Sequence, residues 1–489
     1  MMVGLLRLIF GYTNKLTQRM RTALRRNAPI TLLWLGLAAW ALVFSVATVY
    51  KLHSFWMGFD LGTHEQVIWN TLHGRFAASS PTRGTASYWG VDIILTELLF
   101  ALPYALWQRP ETLLVLQTLV TPLGAIPLYR LARRKLESAW AGVVWAALYL
   151  LALPIQFTAL YEFQIRIVGT VFFLWAWWYL EERRWWRFVV CALLALGTRS
   201  DAGFALAGLG MYAALERRGW RWSVLPIVVG VGWIVLCSRV LVPAFRTDES
   251  FFYGFLYAWL GDTPGAMLRT VILRPGYVAA HIFTSGKLRY VLELGGPLLF
   301  LFVFQPRIAL IALPSFALNL LSNDRIHWSV RYHYQSFVLP WLLIATLYAV
   351  AALRRRPRWR RWWPATLAAV LVATLASNVI SRSPLINLAT RPRSAERIAR
   401  MAALVAAVPP DVALTTTSSF GPHLARRQAL FFCPGNIIYP PDWATRGCYW
   451  LLDKREMETA DLARITLAQQ AGWRIRYEDA DFVALDRCD

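Results

Sequence analysis

The sequence predicts a polytopic α-helical membrane protein, and three observations predict it. Of 489 residues, 57% are hydrophobic and the mean hydropathy is +0.42, more apolar than a soluble chain of this length. Several apolar runs approach the ~20 residues that cross a bilayer. The basic residues gather in short clusters between those runs. The runs are continuous rather than alternating, which argues against a transmembrane β-barrel. The net charge is +23, from 51 Lys and Arg against 28 Asp and Glu. The positive-inside rule accounts for that excess, with contacts to membrane lipid headgroups, and no nucleic-acid partner is needed.

Residues 1–29 form a basic N-terminus with Arg7, Lys15, Arg19, Arg21, Arg25 and Arg26. The run at 30–50 is too long for a cleaved signal peptide and reads as a retained first span leaving the cytoplasm. Basic segments at 130–135, 183–187, 217–221 and 354–361 are then cytoplasmic. Runs at 112–130, 138–154, 166–180, 187–198, 204–215, 222–242, 290–305, 308–321, 336–353 and 364–380 satisfy that parity. With the first span they make about eleven crossings within 30–380, several of them short and therefore tilted. Residues 91–107, with Asp92, Glu97 and Pro103, would break the parity and read as a helix lying at the outer interface. Residues 51–111 become a large first outer loop.

After residue 380 the chain is less apolar. "DVALTTT", "CYWLLD" and "DFVALD" read as strands, and "SAERIARMAALVAAV" and "METADLARITLAQQAG" as helices. Residues 384–489 are thus expected to be a small extracytoplasmic α/β domain. Five cysteines follow no metal spacing; Cys433 and Cys448 are the expected pair if that domain is in an oxidising compartment.

Chemistry concentrates on the outer side. "GFDLGTHEQVIWN" places Asp60, His64 and Glu65 where the chain leaves the first span. Asp60 and His64 share a helix face. A carboxylate there suits a general base or a divalent-cation ligand, and its bland alternative is a helix N-cap. "YEFQIR" adds Glu162 and Arg166, whose bland reading is an interfacial ion pair. "TRSDAG" puts Arg199 and Asp201 between short apolar runs, where charges pair or face a cavity. "DRIHWSVRYHYQS" supplies Arg331, His333 and Tyr332, a set suited to an anionic ligand. Lys287 and Arg289 extend that outer positive charge, and the loop "FRTDESFFYGFLYAWLGDT" lies on the same side. No P-loop, dinucleotide fingerprint or HExxH is present, which argues against ATP-driven transport.

The segments "FDLGTHEQVIWNTLHGR", "TLLVLQTLVTPLGAIPLYRLARRKL", "SFFYGFLYAWLGDT" and "YHYQSFVLPWLL" resemble a bacterial and archaeal family of predicted membrane proteins. That family is placed with the GT-C superfamily of integral-membrane glycosyltransferases. The resemblance implies a GT-C-like fold and a lipid-linked sugar donor, commonly a polyprenyl phosphate, used at the outer face. It implies that Asp60 is base or metal ligand, with Mg or Mn as the cation, and that Glu65 helps. Glu162 would be the acidic group of the second outer loop. Here Glu162-Phe163-Gln164 stands where the family pattern reads Asp-Phe-His.

The expected function is transfer of a sugar from a polyprenyl-phosphate donor to an extracytoplasmic acceptor, at the inner (plasma) membrane. Asp60 and Glu65 would be catalytic, and Glu162, Arg199, Asp201, Arg331, His333 and Tyr332 would bind substrate and phosphate. A non-catalytic, lipid-binding scaffold or assembly subunit is the alternative, and a lipid-sugar flippase the third.

Overall fold

The computed structural model describes residues 2–247, 253–435 and 441–488, with side chains from residue 27 onward. The expected outer segment at 248–252 and the side chains of the basic N-terminus lie outside the described residues.

The first helix, α1 (Met2–His53), carries the first span at Asn27–His53. The chain then turns into α2 (Phe59–Leu72). A loop and a 3-10 turn, Leu95–Glu97, lead to α3 (Leu98–Leu106). Leu99, Leu102 and Leu106 of α3 are exposed, Leu106 at 90%. Next come α4 (Pro110–Val120) and α5 (Ala125–Lys135), joined through a 3-10 turn at Pro122. The pair α6 (Ala139–Leu151) and α7 (Leu153–Tyr161) bends by 46°. Pro154 starts α7 without a backbone donor, which fits that break. Then follow α8 (Ile165–Glu181), α9 (Trp185–Leu196), α10 (Ala202–Leu215) and α11 (Trp220–Leu236).

Among the described residues, four helices are long and apolar enough to cross a bilayer, Asn27–His53, Pro110–Lys135, Trp220–Ala244 and Arg360–Thr390, and the bent pair makes five. Length and composition alone do not reproduce the expected count of about eleven. Several expected crossings are short or broken. Helix α9 has 12 residues and α10 has 14. The run at 290–305 is interrupted after Pro297, where Leu299 and Phe300 take φ of 51° and 52°.

Inside the membrane part, large side chains fill one core. Trp145, Trp177, Phe173 and Trp341 are fully buried, and Trp177 packs against Tyr212 and Trp341. At the other end of these helices from Asp60, Glu181 gathers Lys135, Arg218 and Arg134.

The C-terminal part is a five-stranded sheet of order β2-β1-β3-β5-β4. Its strands are β1 (Leu414–Thr417), β2 (Leu430–Cys433), β3 (Tyr449–Asp453), β4 (Arg474–Glu478) and β5 (Phe482–Asp486). β1 lies parallel to β2 and β3, and β5 runs antiparallel to β3 and β4. The expected strands become β1, β3 and β5, and the expected helices become Ala395–Ala407 and Thr459–Gln470. One sheet face packs Met401, Leu404, Phe420, Phe432 and Phe482, together with Phe55 from the membrane part.

The expected disulfide is corrected. Cys448 bonds Cys488, with Cα atoms 5.0 Å apart, and Cys433 is buried and free. Sheet order explains it. β1 separates β2, which ends at Cys433, from β3, which follows Cys448. β5 pairs directly with β3, so Cys488 just past β5 falls beside Cys448, and Arg487 N donates to Cys448 O at 2.8 Å.

Candidate active site

The site is built where α2 begins. Gly58 is the N-cap of α2, with no side-chain cap bond. Asp60 is therefore not the cap; it sits one residue inside the first turn. The capping carboxylate comes from another loop. Glu162 Oε2 accepts the amide proton of Leu61 at 2.8 Å, and Glu162 follows directly after α7. A carboxylate at a helix N-terminus also complements the helix dipole.

The loop carrying Glu162 is held by Gln117 of α4. Gln117 Nε2 donates to Glu162 O at 3.0 Å, and Gln164 N donates to Gln117 Oε1 at 2.5 Å. Gln164 in turn donates its side-chain amide to Asp60 Oδ2 at 2.7 Å. The α7 C-terminus receives a cation: Lys51 Nζ donates to the carbonyls of Leu160 and Tyr161 at 2.6 and 2.5 Å. Lys51 closes the last turn of the first span, so α1, α2, α4 and α7 all fix one patch.

One helical turn from Asp60, His64 Nδ1 lies 2.8 Å from Glu97 Oε2. Burial opposes the His64 charge, but the Glu97 carboxylate and then Asp60 outweigh it and raise its pKa. Burial raises the Asp60 pKa, against the pull of His64, Arg199 and the Gln164 hydrogen bond. Burial and then the nearby Asp60 charge push Glu162 up to about 7. Asp60 and Glu162 thus form a carboxylate pair in which one proton is easily held.

Of the buried guanidinium groups, Arg199 is close enough to Asp60 to oppose its raised pKa, and Arg166 is joined to Arg199 through Asp201. Arg199 Nη2 reaches Asp92 Oδ2 at 2.5 Å and donates to Tyr253 Oη at 2.7 Å. Arg166 Nη1 reaches Asp201 Oδ2 at 2.9 Å. The partners are thus exchanged relative to the sequence: Arg199 and Asp201 stand 3.8 Å apart, beyond a hydrogen bond, and each has its closer partner elsewhere. Arg166 Nε and Arg199 Nε are buried without a hydrogen-bond partner.

The loop at 324–336 closes the far side. Tyr334 stacks on His327 at 3.7 Å between ring centroids and lies beneath Arg166. His333 packs against Tyr334 and Tyr161, and Tyr332 against Tyr161. Burial, then Arg166 and Arg199, hold His333 well below the usual imidazole range, so it is a neutral donor or acceptor. Arg331 is exposed, with its guanidinium 5.7 Å over Phe157. It stands at the rim.

Glu65 occupies another face of α2. It is 0% exposed, accepts from Tyr104 Oη at 2.8 Å, and leaves Oε2 without a partner. Five residues of helix turn it well away from Asp60. Glu65 therefore holds α2 to α3 rather than standing beside Asp60. A divalent cation would find Asp60 and Glu162 as its acidic ligands; no group of three or more His, Cys, Asp or Glu side chains suited to a metal occurs among the described residues. Two carboxylates already facing Lys51 and Arg199 fit a dedicated cation cage poorly.

The C-terminal domain backs α2 directly. A Cβ at Gly58 would collide with Ser418 Oγ, and one at Gly62 would fall 3.2 Å from the backbone carbon of Gly421. Gln66 Nε2 donates to Arg427 O at 3.0 Å, and Phe59 meets Phe432 edge to face.

The model of the predicted membrane protein family DUF2079 matches residues 10–483. This chain belongs to the DUF2079 family. The DUF2079 chain is also similar in fold to the crystal structure of ArnT from Cupriavidus metallidurans bound to undecaprenyl phosphate. The TM-score is 0.51 at 15% identity, covering 92% of this chain and 97% of that one. The apo structure of the same ArnT gives 0.49 at 14% identity, covering 92% and 98%. No curated protein matches. The DUF2079 chain therefore has a helical, ArnT-like fold with a small C-terminal sheet.

Asp60, Glu162, Arg199 and Asp201 stand out in the sequence, and the structure gathers them. Lys51 does not stand out there, and Gln164 has no assigned role. The signal that could have found Lys51 is its place as a lone Lys ending the first apolar run. Gln164 was legible only as the place where the chain departs from the family pattern.

Proposed function

We propose that this protein is a GT-C-type glycosyltransferase that moves a sugar from a polyprenyl-phosphate donor to an extracytoplasmic acceptor. One observation carries the reading: a carboxylate, Asp60, that is not needed as a helix cap lies in the field of the buried Arg199 guanidinium, to which Arg166 is joined through Asp201, in an ArnT-like fold. ArnT of that fold binds undecaprenyl phosphate.

In this reading Asp60 takes the proton of the acceptor hydroxyl. The acceptor oxygen then bonds the anomeric carbon while the bond from that carbon to the phosphate oxygen breaks. Negative charge grows on the departing phosphate, where Arg199 and Arg166 are already fixed by Asp92 and Asp201. Glu162 and Gln164 set the direction of Asp60. Neutral His333, with Tyr332 and Arg331 at the rim, hydrogen-bonds sugar or phosphate oxygens. The membrane orientation follows the basic clusters, with the N-terminus cytoplasmic and the C-terminal domain outside.

The test is turnover of a polyprenyl-phosphate-linked sugar by the purified full-length chain, parent against Asp60→Asn. Equal turnover would sink the reading. Lipid binding by the parent with no turnover across donor sugars would leave the scaffold alternative standing.

A further inference from the structure

We infer a second anion site, built for a phosphate group carried on a lipid, beside the first turn of the helix Ser285–Gly295. A cavity of about 370 Å³ lies there, lined by Lys287, Arg325, Trp328 and the end of the preceding helix at His281. None of these residues takes part in the Asp60 chemistry above.

Lys287 decides the chemistry. It is 3% exposed, yet its ammonium makes one hydrogen bond, to His281 O at 3.2 Å, and has no carboxylate partner among the described residues. A buried charge without a counter-charge is costly, and a bound anion removes that cost. Burial also pulls the Lys287 pKa down to about 8, as expected for an ammonium short of an opposite charge. The acidic side chain of the facing loop, Asp324, is engaged elsewhere and accepts the Ile326 amide at 3.1 Å.

Three further groups converge on the same space. Arg325 is exposed at the mouth. Trp328 carries a buried Nε1 with no hydrogen-bond partner, and its ring lies 5.8 Å from the Lys287 ammonium. The amides of Ser285 and Gly286 open the helix and have no preceding turn to bond, so the positive end of the dipole points there. An ammonium, a guanidinium, an indole N–H and helix amides from several directions suit a tetrahedral oxyanion. Large apolar side chains along the two helices Pro275–Ile282 and Ser285–Gly295 are exposed, Tyr277, Leu288 and Leu292, the last at 61%, as is Phe283, which caps the first helix, at 70%. Apolar flanks around a phosphate pocket fit a lipid headgroup better than a free ion.

The inference is independent of the transferase reading. Full-length protein in phosphatidylcholine nanodiscs, with and without phosphatidic acid, would be examined by native mass spectrometry. The parent should retain phosphatidic acid. Lys287→Met should lower retention tenfold or more, and Arg325→Ala by about threefold; Asp60→Asn should retain it like the parent. Arg325 is exposed, so its variant keeps the test valid if Lys287→Met folds poorly. In a second arm, millimolar inorganic phosphate would be scored by thermal shift. Stabilisation of the parent but not of Lys287→Met, without lipid retention, would keep the phosphate pocket and overturn its lipid source. Equal retention by parent, Lys287→Met and Arg325→Ala would overturn the site.

Discussion

Glu162 caps the helix that carries Asp60: its Oε2 accepts the Leu61 amide proton at 2.8 Å from a position 101 residues further along the chain. The carboxylate that stabilises α2 is therefore not the carboxylate assigned to proton transfer. Asp60→Asn should leave α2 and the fold intact, since the introduced side-chain carbonyl would still accept from Gln164. Turnover should fall about 100-fold or more, the scale of losing a general base. Unchanged turnover with an unchanged melting profile would return Asp60 to a structural role.

The pairing of Asp60 with Glu162 sets a pH dependence. Burial raises both carboxylates, and the Asp60 charge adds to the rise at Glu162, to about 7, so the pair takes up a proton as pH falls through that value. A base must be deprotonated, so turnover should rise with pH across roughly 6 to 8. Glu162→Gln keeps an acceptor for the Leu61 amide and removes the competing charge. Its acidic limb should move to lower pH; an unmoved limb would assign the titration elsewhere.

Glu65 makes a stability prediction of a different form. Burial raises its folded pKa to about 8, above an ordinary value of 4.5. The folded state thus favours the protonated acid, and that stabilisation, complete below pH 4.5, is lost as pH rises through about 8. Glu65→Gln keeps an acceptor for Tyr104 and cannot ionise. Its melting temperature relative to the parent should climb between pH 5 and 8 and then level off, by a few degrees. A pH-independent difference would count against a buried, protonated Glu65.

In the C-terminal domain, peptide mapping without reductant should find Cys448 linked to Cys488 and Cys433 free. The bond closes 40 residues, for which chain entropy gives about 4 kcal/mol. Cys488→Ser should lower the domain's resistance to proteolysis, whereas Cys433→Ser should leave it unchanged. A recovered Cys433–Cys448 peptide would contradict the sheet order.

Much of this was legible in the sequence because charges are rare in apolar runs. Arg199 and Asp201 announced themselves by cost alone. Their partners did not: Asp92 and Arg166 come from separate segments, and spacing within one segment cannot show a cross-segment exchange. Glu65 looked equivalent to Asp60 because both lie in one short motif, yet five residues of helix rotate it onto Tyr104. β1 showed as a β-branched run, and β3 and β5 as apolar ones. β4 is an exposed edge reading "RIRYE", where alternating charge hides the strand while protecting the sheet from further pairing. The disulfide was misread because nearness in sequence says nothing about which strands become neighbours. Crossing counts suffer from the same blindness: a run such as 290–305 is apolar but for Glu293 and Gln305, yet breaks after Pro297.

The close fit of Gly58 against Ser418 and of Gly62 against Gly421 has a consequence for biogenesis. A ribosome that has completed the first 400 residues has already made Asp60, Glu162, Arg166, Arg199 and His333. It has not made the surface against which α2 rests. Each newly made copy therefore carries the charged groups of its candidate site into the membrane before the last segment arrives to immobilise them, and a chain that stops short of the sheet inherits those charges without their alignment.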